Sequence, residues 1–108
     1  MHIRQVTLKS LDPEDYSRLP NFVHSLRTHS MYKSIVDAFI STPGFIKKES
    51  IIRESKEGQF FLSLIFFEDK ESFDNVINDE TFQGIHIYLE LMCTQEGISY
   101  EIKDYEEY

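Results

Sequence analysis

The sequence predicts an α+β domain: a four-stranded antiparallel sheet with helices on one face, in the order β-α-β-β-α-β. Three observations lead there. Apolar residues recur at strand spacing near both ends and in two adjacent runs at mid-chain. Two stretches at helical spacing, Phe22 to Ile40 and Phe73 to Met92, separate them. The run Phe60-Phe61-Leu62-Ser63-Leu64-Ile65-Phe66-Phe67 has one polar residue in eight, so both of its faces want burial. This order is the split βαβ, ferredoxin-like plait. A chain of 108 residues carries one core, so 1–108 is read as a single domain.

Taken in order, His2 to Ser10 alternates imperfectly and reads as a half-buried strand. Leu11 to Asp15 reads as a helical turn, with Asp12 as cap and Pro13 at the first helical position. Pro20 is expected to interrupt it, and Asn21 to cap a fresh helix. The apolar stripe from Phe22 to Ile40 ends at Thr42-Pro43-Gly44, where Pro disfavours helix before it and Gly suits a reversal. Phe45 to Glu54 is the second strand, Ser55-Lys56-Glu57-Gly58 a hairpin turn, and Phe60 to Phe67 the third strand. Asp69 caps a helix bearing Phe73, Val76 and Ile77. A break is expected near Asp79, before the stripe resumes at Phe82, Ile85, Leu89 and Met92. Ile98, Tyr100 and Ile102 form the last strand, and Asp104 to Tyr108 reads as a frayed acidic tail.

Composition excludes several classes. Hydrophobic residues at 41% with charged residues at 28% argue against disorder. Eleven basic against nineteen acidic side chains leave a net charge of −8, which disfavours nucleic acid or an anionic membrane as partner. No apolar run reaches the roughly 18–20 residues that span a bilayer. The opening MHIRQVTLKS lacks the apolar core of a secretory signal. The single Cys93 excludes an internal disulfide and fits a reducing compartment, so a cytoplasmic protein is expected.

Three segments resemble one family. Thr42-Pro43-Gly44-Phe45-Ile46 resembles the xPGF entry to the second strand of the antibiotic biosynthesis monooxygenase-like (ABM) domains, members of the dimeric α/β-barrel group. Phe66 to Phe73 resembles their W-x-[ST]-x-E-x-F signature, and Asp79 to His86 their S-x-x-F-x-x-A-H. The three lie in register across residues 42–92. The resemblance implies a homodimer whose two sheets pack into a barrel, with one pocket per subunit between helices and sheet. It also implies cofactor-independent monooxygenase chemistry on a small aromatic substrate. The alternatives are a non-catalytic ligand-binding or dimerisation module and, third, a haem-binding or haem-degrading protein using His86. Phe67 stands where the family often has Trp, and Val76 where haem-degrading members carry one. Arg4 or Gln5 stands where those members use Asn; His86 matches their proximal iron ligand.

From the residues themselves, His86 is the candidate catalytic group, because imidazole exchanges protons near neutral pH. The plainer reading is a helix histidine at the edge of an apolar stripe. Phe66, Phe73 and Val76 are expected to shape the pocket under the family reading. Tyr88, with Tyr16, Tyr32 and Tyr100, is a candidate for an aromatic lining, against ordinary packing. Arg4 and Arg53 are candidates to anchor an anion, against surface pairing with carboxylates. His2, His24 and His29 read as surface residues, and Cys93 as a buried inert thiol. His86 and Glu90 share a helix face without companion ligands, so no metal site is expected. No bound cofactor is expected either, haem through His86 being the exception to check.

Overall fold

A computed structural model describes residues 1–12, 14, 17–55 and 58–107. Its elements run β1 (His2–Ser10), α1 (Arg18–Thr28), α2 (Ser30–Ile40), β2 (Phe45–Ser55), β3 (Gly58–Phe67), α3 (Lys70–Ile77), α4 (Glu80–Gln95) and β4 (Ile98–Glu106). The strands form one antiparallel sheet in the order β2-β3-β1-β4, so the expected α+β plait is present with each helical layer in two pieces.

Both helix breaks have local causes. His29 adopts extended backbone between α1 and α2, and its Nδ1 accepts a hydrogen bond from the Met31 amide at 3.1 Å. The single helix expected over Phe22 to Ile40 is therefore two. Asp79 breaks the second stripe as expected, its carboxylate capping α4 by accepting from the amides of Thr81 and Phe82. Asp69 caps α3 in the same way through the Ser72 amide, at 2.8 Å.

Pro20 does not interrupt a helix. It is the third residue of α1, where the missing N–H has no intrahelical acceptor to lose. Asp12 accepts from the Glu14 amide as a turn residue would, while Pro13, Asp15 and Tyr16 lie outside the described residues. So do Lys56 and Glu57 of the expected hairpin turn, and Tyr108. Gly44, at φ +95, makes the reversal into β2, and a Cβ there would collide with the Ser72 side chain.

The expected frayed tail is mostly strand. Asp104, Tyr105 and Glu106 pair with Arg4, Ile3 and His2, and Arg4 binds the Asp104 carboxylate through Nε and Nη2 at 2.9 and 3.1 Å. His2, expected at the surface, is buried: its Nδ1 meets Glu106 Oε1 and its ring packs 4.3 Å from that of Phe73.

Among the residues whose burial is described, all buried strand residues project from one face. These are His2 and Leu8 of β1, Phe61, Ser63, Ile65 and Phe67 of β3, and Ile98 of β4. They meet Leu19, Phe22, Leu26, Ile35, Phe39, Phe73, Val76, Phe82 and Leu89 from the helices. Phe67 is fully buried, with its ring against those of Phe39, Phe45 and Phe73. The other face carries Phe60, Leu62, Leu64 and Phe66, each half-buried, with none of the described helices over them.

Candidate functional site

Between the helices and the sheet lies a cavity of about 60 Å³. Strand alternation aims Arg4, Val6 and Leu8 from β1, Lys48 from β2, Phe61, Ser63 and Ile65 from β3, and Tyr100 from β4 toward it. The helices close it with Leu26, Tyr32, Ile35, Phe39, Phe82, His86, Leu89 and Cys93. Nearly all of that surface is apolar; besides Arg4, which is bound to Asp104, its polar groups gather around two pairs.

The first pair is His86 with Tyr100. His86 sits on α4 one turn after Phe82, its ring stacked on the Phe82 ring at 6.1 Å between centroids. Its Nε2 lies 2.9 Å from Tyr100 Oη, and its Nδ1 3.7 Å from a Glu90 carboxylate oxygen. Burial pushes the imidazole below its ordinary value; Glu90 pulls the other way and Arg4 adds to the lowering. Burial likewise holds the Tyr100 phenol well above its usual range, so it stays protonated at neutral pH. In the Nδ1–H tautomer, Nε2 accepts the Tyr100 proton.

The second pair is Lys48 with Tyr32. The Lys48 ammonium donates to Tyr32 Oη at 2.8 Å and to Ser50 Oγ at 3.2 Å, and Ser50 in turn meets buried Ser63 at 3.2 Å. Lys48 was not singled out in the sequence, where Lys47 and Lys48 stand side by side. Strand parity alone separates them, one turning to each face. Ser63 had a signal: it is the polar residue in an otherwise apolar run.

Of the six site residues expected from the sequence, His86 and Arg4 line the cavity. Four do not. Phe66 projects from the opposite face, because β3 alternates and Phe67 turns inward. Phe73 is buried in the aromatic cluster with His2, Phe39 and Phe67, beneath the Arg4 guanidinium. Val76 is buried at the junction of α2, α3 and α4, beside Ala38, Asp79 and Ile85. Tyr88 is exposed on α4, two residues round the helix from His86. Arg53 is exposed on β2, and Tyr16 lies outside the described residues. Cys93 lines the cavity with its thiol pushed up to about 11 by burial, which leaves it without nucleophilic character at neutral pH.

The described residues hold no group of three metal-ligating side chains. Nor do the residues around His86 fit a porphyrin. Nε2 is turned onto Tyr100, and the space before it is about 60 Å³. No described helix is long and apolar enough to cross a membrane.

Among solved structures, the chain is similar to a variant of SnoaB, a cofactor-independent oxygenase from Streptomyces nogalater. Identity is 12%, with 98% of this chain and 92% of that one covered at a TM-score of 0.62. A Deinococcus radiodurans protein proposed as an antibiotic biosynthesis monooxygenase matches at 13% identity, covering 100% and 93%, with a TM-score of 0.60. A conserved protein from Methanosarcina mazei Go1 matches at 20% identity, covering 100% and 94%, with a TM-score of 0.58. No protein-family model and no curated protein matches the chain. The fold is that of the ABM proteins, as the resemblance in the sequence implied.

Proposed function

We propose that the protein is a cofactor-independent monooxygenase-like protein, with the cavity between helices and sheet, widened on binding, as the site for a small aromatic substrate. The observation that carries this reading is the His86–Tyr100 pair, a neutral base and a protonated phenol set 2.9 Å apart in an apolar cavity. SnoaB, similar in fold, supports the cofactor-free part of it. In this chemistry Tyr100 Oη takes the substrate's phenolic proton as it passes its own to His86 Nε2. The electron-rich ring carbon then gives its electrons to dioxygen and forms a C–O bond. Cleavage of the O–O bond, with loss of the ring C–H proton, leaves a quinone and one water per dioxygen.

The working unit in this reading is a homodimer paired through the open sheet face. Phe60, Leu62, Leu64 and Phe66 are already half-buried, so covering them gains roughly half of the 1.5–3 kcal/mol that full burial of such a side chain is worth, and a second sheet is a cover of suitable shape.

Oxygen uptake with single-ring and two-ring phenols, followed alongside quinone absorbance, tests the reading. Turnover with equal amounts of dioxygen and quinone is expected, unaffected by chelator and reduced about 100-fold or more in His86→Ala. A second reading, a non-catalytic ligand-binding or dimerisation module, is favoured by the small volume of the cavity. Binding of phenols without oxygen uptake would select it. Added hemin is expected to give no Soret shift that His86→Ala removes.

A further inference from the structure

The cations lining the cavity are unevenly compensated. Arg4 is held by the Asp104 carboxylate through two hydrogen bonds. Lys48, half-buried, donates only to neutral oxygens, those of Tyr32 and Ser50, and makes no ion pair among the described residues. A partly desolvated ammonium with neutral partners retains a strong preference for an anion, because a charge-assisted hydrogen bond is about twice as strong as a neutral one.

Where Lys48 stands adds to this. Tyr32, Val36 and Lys48 line both the inner cavity and an outer depression of about 400 Å³, which also includes Arg27, Lys33 and Asp37. Three cations meet one carboxylate at this mouth, on a chain of net charge −8. The mouth thus carries a local excess of positive charge on an acidic chain.

We propose that the cavity takes a small aryl monocarboxylate, its ring inward and its carboxylate on Lys48 Nζ at the wall. This rests on the reading that the cavity is the ligand site. Among the described residues Lys48 is the cavity-lining cation not tied to a carboxylate, which suits a single carboxylate, and the largely apolar wall beyond it suits a ring rather than a phosphate. A ring needs more room than the cavity offers as it stands, since cavities that hold benzene measure about 150 Å³. Outward rotation of Tyr32 joins the cavity to the depression. Lys48 then exchanges a neutral phenol oxygen for a carboxylate, which favours the open form only when the anion is present.

Titration of the ¹⁵N-labelled full chain with benzoate, benzamide and inorganic phosphate, read by amide shifts, tests this. Benzoate is expected to move the amides of Tyr32, Lys48 and Ser63 and to bind at least 10-fold more tightly than benzamide. Lys48→Met is expected to abolish that ratio and Lys48→Arg to keep it. Equal affinity for benzoate and benzamide overturns the carboxylate while leaving the cavity reading in place. Phosphate binding as tightly as benzoate overturns it too, by showing a general anion patch. If neither aromatic probe moves cavity amides, both the proposal and the cavity reading fall.

Discussion

On β3, Phe61, Ile65 and Phe67 turn toward the helices, whereas Phe60, Leu62, Leu64 and Phe66 turn away from them. The two sets are similarly apolar, yet only the first is enclosed by its own chain. The enclosed face also carries the polar groups that could do chemistry: Ser63, Lys48, His86 and Tyr100. The open face has Ile3, Gln5 and Thr7 of β1 beside Leu64 and Phe66, and no helix contributes a polar group to it. One face encloses an apolar cavity with a few polar groups, while the other leaves a half-buried apolar strip flanked by Lys47, Glu49 and Arg53 of β2.

The comparison breaks most sharply at Phe67. Phe67→Ala is expected to lower unfolding stability by about 3–5 kcal/mol in urea titrations, through the cavity left among Phe39, Phe45 and Phe73. The same truncation at half-buried Phe66 should cost clearly less when measured at concentrations low enough to keep the chain single. On the open face, Leu64→Glu is expected to halve the mass seen by light scattering, from twice 12.8 kDa to one chain, with the circular dichroism of the fold retained. A wild-type chain already single at micromolar concentration would remove the argument for pairing.

Within the enclosed face, Tyr100→Phe removes one partner of His86 and is expected to lower stability by about 1 kcal/mol. The smallest effect is pH-dependent. Burial lowers the His86 value in the folded state, so below the ordinary value near 6.5 the unfolded chain takes up a proton that the folded chain refuses. Stability should therefore fall as pH drops from about 7 through that window, then level below the folded value. Urea midpoints against pH for His86→Gln should show a flatter slope there, and an unchanged slope would mean that imidazole burial contributes nothing.

Much of this architecture was legible in the chain. Asp69 and Asp79 announce their helices because a cap is a local hydrogen bond, settled within three residues. Gly44 announces its turn because positive φ is a local demand. The breaks at His29 and the continuation through Pro20 were less legible. A histidine cap has no strong sequence signature, and a proline in a first turn looks the same as one that ends a helix. The tail read as frayed because Asp104 and Glu106 look solvated until Arg4 and His2 of another strand are opposite them.

By itself, then, the amino-acid order determined the element types, the plait and the two-sided apolarity of β3, all consequences of periodicity and short-range chemistry. Which of those residues share a cavity was left to the folded state. Strand parity turned Phe66 outward and Lys48 inward, and helix rotation left Tyr88 in solvent while bringing His86 to Tyr100. Such meetings depend on register and on the packing angle between layers, and neither is written in any one segment.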